Sequence, residues 1–192
     1  NYATSAPVHS AGVVFAGQTA GGYLNAIGVS AKMDMAFGTA AGLAVYGSNL
    51  YVSDNVNDRI RVINLASQSV STLQIQGTTD GNTTSLAAGK PTGLAINSKT
   101  GKLYFGSQGQ LGALDKVYEV DLSSGSQRLI ATGLENADAL TLDRAGRLFV
   151  ASAANGTVYS VDIQDVPVTT TTVGAATNVP VYGVKTVLAG TG

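Results

Sequence analysis

Short apolar segments separated by turn-forming residues recur along most of the chain. Gly42–Val45, Leu50–Asp54, Arg59–Ile63 and Val70–Leu73 are four or five residues long and rich in Val, Ile, Leu and Tyr. Such segments, bounded by Gly, Asn and Ser, are typical of strands joined by tight turns. The pattern therefore predicts one sheet of four strands between residues 42 and 73.

The same order of segments occurs twice more. The leucines of the three first strands, Leu43, Leu94 and Leu140, stand 51 and 46 residues apart (43 to 94 and 94 to 140). A repeat of about 40–50 residues is typical of four-stranded propeller blades. We therefore predict an all-β fold, a β-propeller-like array of three four-stranded blades. The first strand of each unit is almost continuously apolar, which favours an innermost strand buried between neighbouring blades. The later predicted strands are Gly93–Ile96, Leu103–Gly106, Lys116–Asp121, Gln127–Ile130, Ala139–Leu142, Leu148–Ala151 and Thr157–Asp162.

The first unit resembles the repeat of the NHL family. Gly42-Leu43-Ala44-Val45, Leu50-Tyr51-Val52-Ser53-Asp54 and Asn57-Asp58-Arg59-Ile60-Arg61-Val62 are similar to that family's "G-x-A-x", "L-Y-V-A-D" and "N-x-R-I-R" segments. Ser30–Phe37 resembles its short helical connector before a blade, and Val187–Gly192 its closing strand. The resemblance covers residues 13 to 163 and the last eight, and it implies a β-propeller. Only the first blade carries the full motif.

This alignment divides the chain into three parts. Residues 1–12 form an N-terminal segment, residues 13–41 a closing-type strand and the helical connector, and residues 42–192 the three NHL-like blades. Residues 164–182 interrupt the third blade as an insertion. Its Thr169–Thr172 run favours equally an edge strand that pairs with another subunit and a solvated surface insertion.

Three blades are too few to close a ring. An open stack of three therefore leaves two sheet faces uncovered. The same fourth-strand motif occurs near both termini, which marks possible assembly strands: Val14, Phe15 and Ala16, and Val187, Leu188 and Ala189. The chain is then an excerpt of a longer propeller, half of a six-bladed ring, or one unit of a head-to-tail filament. We favour assembly into a homo-oligomer or polymer, with other copies of the chain or a surface protein as partner.

Composition narrows the setting. The 192 residues carry a net charge of −1 and only 12% charged side chains, which argues against nucleic acid as a partner. Apolar stretches of about five residues are too short for membrane insertion, which needs about 20. The chain begins at Asn1 and has few lysines, so we expect an extracellular or cell-surface location. The absence of cysteine excludes disulfides and thiolate metal sites.

Few residues suggest chemistry. The single histidine, His9, lies outside every blade. The loop from Asp54 to Asp58 fails the calcium-loop pattern, so we expect Asp54 and Asn57 to tie the turn through side-chain to backbone hydrogen bonds, with Arg59 across the strand. Asn82 and Asn155 begin possible glycosylation sequons. Tyr51, Tyr104, Tyr118 and Tyr159 recur at blade positions and are predicted to be packing residues.

The sequence therefore favours a non-catalytic extracellular structural or interaction module that assembles through its blade edges into a ring or head-to-tail filament. No catalytic, cofactor-binding or metal-binding residue is predicted, and no cofactor. The alternative is a small-ligand binder or an enzyme acting at the central channel. For an enzyme, the resemblance to NHL blades implies a metal-dependent lactonase-like or lyase-like activity. Asn136, Asp138 and Asp143 are then the candidate carboxylate and amide cluster.

Overall fold

The chain folds into three antiparallel sheets of four strands each. A computed structural model describes residues 12–18, 20–33, 42–76, 89–108, 115–134, 136–154, 156–163 and 185–189. In these residues the strands are β1 (Leu43–Tyr46), β2 (Asn49–Asp54), β3 (Arg59–Asn64), β4 (Val70–Thr72), β5 (Lys90–Asn97), β6 (Lys102–Gln108), β7 (Asp115–Asp121), β8 (Gln127–Leu134), β9 (Ala137–Leu142), β10 (Leu148–Ser152), β11 (Thr157–Val161) and β12 (Lys185–Ala189).

Each sheet is one blade of a β-propeller-like array. Blade 1 is β1–β4, blade 2 is β5–β8 and blade 3 is β9–β12, with strands adjacent in chain order. The predicted fold class is therefore confirmed, including the fourth strand of blade 3, which follows the predicted insertion. The innermost strands β1, β5 and β9 lie side by side. The Gly42 amide of blade 1, for example, donates to the Thr92 carbonyl of blade 2 at 3.1 Å.

Two apolar interfaces hold the three blades together. Between blades 1 and 2 lie Tyr51, Ile60, Leu94, Leu103, Phe105 and Val120. Between blades 2 and 3 lie Tyr104, Val117, Ile130, Leu148, Val150 and Tyr159. The packing role predicted for the tyrosines is confirmed, since Tyr51, Tyr104 and Tyr159 are buried and the Tyr118 ring stacks on Phe105 at 5.4 Å.

The innermost strands approach one another so closely that only glycine fits at one repeated position. A Cβ atom on Gly42 would lie 2.4 Å from the Leu94 nitrogen, and one on Gly93 would lie 2.6 Å from the Asp138 oxygen. Both values are well below van der Waals contact, so these glycines set the spacing between blades.

The segment before blade 1 covers part of that blade. Ala31 and Met33 pack on Val52, Ile63 and Val70 in a third apolar cluster. Within the predicted helical connector, Ser30 ends a 3₁₀ helix over Gly28–Ser30, and Ala31 is already extended. Residues 34–37 lie outside the described part, so the helical connector stays a prediction. No helix in the described residues is long and apolar enough to cross a membrane.

The expected burial of every first strand is wrong for two of the three blades. In β5 most side chains are buried, but Leu43 and Val45 of β1 are 61% and 59% exposed. Ala139 and Thr141 of β9 are exposed as well. The cause is the number of blades: β5 has a neighbour on both sides, whereas no described blade covers the outer faces of blades 1 and 3.

Candidate functional site

The two uncovered sheet faces at the ends of the array form the candidate site. We call the face of blade 1 turned away from blade 2 the blade 1 face, and the face of blade 3 turned away from blade 2 the blade 3 face. Successive side chains of a strand point to opposite faces of its sheet, so every second side chain of β1 lies on the blade 1 face and every second side chain of β9 on the blade 3 face. On β1, Ala44 and Tyr46 pack towards blade 2, whereas Leu43 and Val45 lie on the blade 1 face.

The outer half of the blade 1 face is covered by residues 24–33, which Arg61 holds in place. The Arg61 guanidinium donates to the Lys32 carbonyl at 2.8 Å, the Leu24 carbonyl at 3.2 Å and Asn25 Oδ1 at 2.7 Å. Its charge is balanced by Asp54, 3.0 Å away, and both side chains are fully buried. Because Tyr118 and Tyr159 occupy this repeat position in blades 2 and 3, the arginine is a feature of the end blade alone.

Other polar contacts reinforce this attachment. Asn57 Nδ2 donates to Asp54 Oδ1 at 2.8 Å and to the Gly22 carbonyl at 3.0 Å. The Asp54 and Asn57 side chains bond to each other, where we expect side-chain to backbone bonds, and Arg59 stands across the strand from Asp54 as expected. The ion-pair partner of Asp54 is Arg61. Arg59 instead lies over the Tyr23 ring, 5.1 Å from its centroid. The hydrogen bond between Tyr23 and Thr72 and the nearby Arg59 lower the pKa of Tyr23 despite partial burial.

The predicted N-terminal assembly strand lies at the border of the blade 1 face. Ala16 packs against the cluster of Ala31 and Met33, whereas Val14 and Phe15 are 63% and 40% exposed. A groove of about 540 Å³ next to them is lined by Val14, Ala16, Gly17, Gln18, Ala20, Val29 and Met33. Residues 14–16 belong to none of the strands of the described chain.

The predicted C-terminal assembly strand forms the outer edge of blade 3. Val187 pairs with Tyr159 and Ala189 with Val158, which makes β12 the fourth strand of its own blade. Val187 and Leu188 are each 54% exposed. In the described residues no further strand pairs with β12, so its outer backbone edge is open.

The blade 3 face differs in chemistry from the blade 1 face. It presents Ala139, Thr141, Phe149, Ala151, Val158 and Ser160, most of them small or polar. Phe149 occupies the position of Tyr51 and Tyr104, but here the Arg147 guanidinium lies 5.6 Å from the ring centroid. Arg147 also bonds Asp143 at 2.7 Å.

The polar residues of the alternative enzymatic site do not converge. Asn136 and Asp138 lie at the start of β9, whereas Asp143 follows its far end, about 15 Å away along a six-residue strand. Burial and the nearby Asp115 raise the pKa of Asp138, while hydrogen bonds from Arg147 lower the pKa of Asp143. No group of three or more His, Cys, Asp or Glu side chains that could hold a metal occurs in the described ranges.

Some predicted positions fall outside the described residues: His9, Asn82, Asn155, the insertion 164–182 with Thr169–Thr172, and residues 1–11. The sequence reasoning missed the roles of Arg61, Ala139 and Arg147. A comparison of the three units position by position contains the signal, since Ala139 stands where the other units have Gly42 and Gly93, and Arg61 where they have tyrosine.

Comparisons with known proteins support the fold alone. No protein-family model and no curated protein matches the sequence. A structural genomics protein of unknown function from Bacteroides thetaiotaomicron is similar with a TM-score of 0.54, at 18% identity over 80% of this chain and 35% of its own. A nidogen/laminin complex is similar with a TM-score of 0.49, at 18% identity over 67% of this chain and 45% of its own. A PQQ-bound aldose sugar dehydrogenase from Streptomyces coelicolor is similar with a TM-score of 0.48, at 13% identity over 85% of this chain and 55% of its own. The chain thus spans about a third to just over half of these structures.

Proposed function

We propose that this protein is a non-catalytic extracellular structural or interaction module that assembles with other copies of itself through the end faces of its blade array. A surface protein that offers a similar sheet face is the second possible partner. The observation that carries the proposal is the exposure of Leu43 and Val45 on the blade 1 face.

The repeat itself shows how unusual this exposure is within the molecule. Leu94 occupies the same repeat position as Leu43 and is only 6% exposed, because blade 1 covers it. Full burial of a leucine or valine side chain contributes about 1.5–3 kcal/mol. Two such side chains next to each other on a sheet face therefore favour association with a further apolar surface.

Two finer points belong to the same proposal. Membership of the NHL family is supported by the full motif of blade 1, with Asp54, Asn57 and Arg61 joined in one hydrogen-bonded network. The extracellular setting is supported by composition alone, chiefly the low charge and the small number of lysines.

Several arrangements of copies are compatible with two open faces. A ring or a head-to-tail filament brings the blade 1 face of one copy against the blade 3 face of the next, with the open edge of β12 as a further pairing site. A two-fold dimer brings like faces together. The ring, the filament and a dimer through the blade 1 faces all cover Leu43 and Val45.

Size-exclusion chromatography with light scattering of the whole chain tests the proposal. We expect a mass that rises with concentration above that of the 19.4 kDa monomer. Negative-stain micrographs of the same sample distinguish rings and filaments from small closed particles. A compact monomer at every concentration would contradict the proposal.

A further inference from the structure

A groove of about 430 Å³ separates two hairpin turns at one end of the blade array. It lies between the turn that joins β5 to β6 in blade 2 and the turn that joins β9 to β10 in blade 3. Half-buried Ile96 and Leu142 supply its apolar surface, and Asn97, Lys99 and Arg144 supply polar side chains. A space of this volume is typical of small-molecule sites, which combine apolar contacts with a few polar groups.

A difference at one repeat position opens this groove. Tyr46 ends β1 and Asn97 ends β5, and both side chains extend towards a turn glycine of the following blade. The Tyr46 hydroxyl oxygen would lie 3.2 Å from a Cβ atom on Gly101. In the same way, Asn97 Nδ2 would lie 3.5 Å from a Cβ atom on Gly146. Tyr46 also packs on the core between blades 1 and 2 and so fills the space between their turns. The shorter asparagine leaves the corresponding space between blades 2 and 3 open.

The amide and cationic side chains that line the groove act as hydrogen-bond donors. Asn97 Oδ1 accepts the Lys99 amide at 3.1 Å, which leaves the Asn97 Nδ2 hydrogens for another partner. The Lys99 ammonium reaches the facing turn but is 3.5 Å from the Arg144 carbonyl oxygen, which is a long and weak hydrogen bond. Within the described ranges, neither Lys99 nor Arg144 forms an ion pair with a carboxylate.

The carboxylate that lines the groove does not neutralise these two cations. Asp143 accepts the amides of Ala145 and Arg147, each at 2.9 Å, and the Arg147 guanidinium balances its charge at 2.7 Å. Lys99 and Arg144 therefore place two uncompensated positive charges on the facing turns. This arrangement favours an anion as the ligand, since both side chains donate hydrogen bonds and neither accepts them.

We propose that this groove binds a small organic dianion that carries two carboxylate groups. The Arg144 guanidinium matches one carboxylate with two parallel N–H donors, and the Lys99 ammonium takes the other. The carbon chain between the carboxylates lies on Ile96 and Leu142, which an inorganic anion would leave uncovered. The site lies between blades 2 and 3, so it goes beyond the proposed self-assembly through the end faces and is independent of it.

Isothermal titration calorimetry of the whole chain in about 0.1 M salt, which screens distant charges, tests the ligand class. Glutarate, a dicarboxylate, is the probe, and butyrate and glutaramide are matched compounds with one negative charge and with none. We expect a single glutarate site per chain, at least about tenfold tighter than for butyrate, and no saturable binding of glutaramide. Equal affinities for glutarate and butyrate, or for glutarate and sulfate, would overturn the proposal, and so would the absence of glutarate binding.

Substitutions of the two cations locate the binding. Lys99→Gln and Arg144→Gln should each weaken glutarate binding at least about fivefold, because each removes one of the two charges from an exposed turn. Lys90→Gln is the matched control, since Lys90 is an exposed cation at the opposite end of β5. It should leave the dissociation constant within about twofold. Binding that both turn substitutions leave unchanged contradicts the assignment to this groove.

Asn97→Tyr tests the groove itself. Tyr46 shows that the fold accommodates tyrosine at this repeat position, so the variant should fold, fill the groove and lose glutarate binding. Circular dichroism shows whether the strands form, and the two turn substitutions decide if they do not. Full binding by a folded Asn97→Tyr chain would place the ligand elsewhere and overturn the proposal. If poly-glutamate binds through Lys99 and Arg144 while glutarate does not, the groove takes an acidic protein segment and the small-ligand proposal is wrong.

Discussion

Asp54 and Arg61 are the most deeply buried charged side chains in the described chain. Their charged atoms are 3.0 Å apart with no exposure of either side chain, and Arg61 has further acceptors in Lys32, Leu24 and Asn25. A buried ion pair of this kind contributes little relative to an apolar pair, but removal of one partner leaves an uncompensated charge. The pair therefore serves mainly to fix residues 24–32 on blade 1.

Asp54→Asn should lower the free energy of unfolding by about 3–5 kcal/mol. The amide is close in shape to the carboxylate, so the loss reports the missing charge rather than a cavity. Urea unfolding followed by circular dichroism measures it. Asp143→Asn is the matched control, because it removes a carboxylate from an exposed ion pair with Arg147 and should have a much smaller effect. Equal losses in the two variants would contradict this account of Arg61.

Asp58 gives a prediction about pH. One carboxyl oxygen of Asp58 is buried without a hydrogen-bond partner, and burial raises the pKa of this side chain above its ordinary 3.8. The folded chain therefore keeps the Asp58 proton to a higher pH than the unfolded chain does. The free energy of unfolding falls as the pH rises from about 3.8 through the folded pKa, and the loss persists at neutral pH.

Asp58→Asn removes this titration, so the variant should be more stable than the wild type near pH 7 and lose that advantage as the pH falls towards 3.8. Denaturant midpoints measured across this range test it.

Glu119→Gln should show the opposite sign of stability change, with the variant less stable than the wild type near pH 7. Burial of Glu119 works to raise its pKa, but hydrogen bonds from Arg128 hold the pKa below the ordinary 4.5. Its stabilisation is therefore present above that pH and lost as the pH falls.

At the scale of strands, the spacing between blades depends on glycine in the innermost strands. Gly93→Ala should lower the free energy of unfolding by roughly 1–3 kcal/mol, because its Cβ would overlap backbone atoms of Asp138 and Leu140. Ala139→Gly is the control at the same repeat position, and its effect should be below about 1 kcal/mol. Thermal and denaturant unfolding measure both. A harmless Gly93→Ala would show that the blades can separate without cost.

Most of the strands could be predicted from the sequence because each unit combines apolar segments with local turn signals. The turn between β3 and β4 shows the mechanism: Asn64 Oδ1 accepts bonds from the amides of Ala66 and Ser67, just as Asp121 Oδ1 does from Ser123 and Ser124 in blade 2. Such bonds involve neighbours in sequence and so leave a recognisable local pattern.

The burial of whole strands could not be predicted in the same way. Leu43 and Leu94 have similar neighbours in sequence, yet their exposure differs tenfold because only one of them has a blade on that side. The burial of Arg61 was missed for a related reason. Arg59 and Arg61 are both near in sequence, and only the path of residues 22–33 across the sheet shows that Arg61 is the one enclosed.

At the scale of the whole molecule, stability should decrease from the middle blade to the ends. Blade 2 is covered on both faces, since Leu103 and Phe105 pack towards blade 1 while Tyr104 and Val117 pack towards blade 3. Blade 1 has a half-covered outer face, and blade 3 has an uncovered face and an open edge at β12. Local opening therefore costs least in blade 3 and most in blade 2.

Hydrogen exchange followed by mass spectrometry tests this order on the wild-type chain. We expect the amides of β6 and β7 to exchange at least about tenfold more slowly than those of β11 and β12. If copies associate through their blade 1 faces, higher protein concentration should slow exchange in β1 and β2 and leave β9 and β10 unchanged. Head-to-tail contact should instead protect β9 and β10 along with β1, because it covers the blade 3 face of every interior copy. Uniform exchange across the three blades would show that the array unfolds as one unit, and that its open faces do not weaken the blades that carry them.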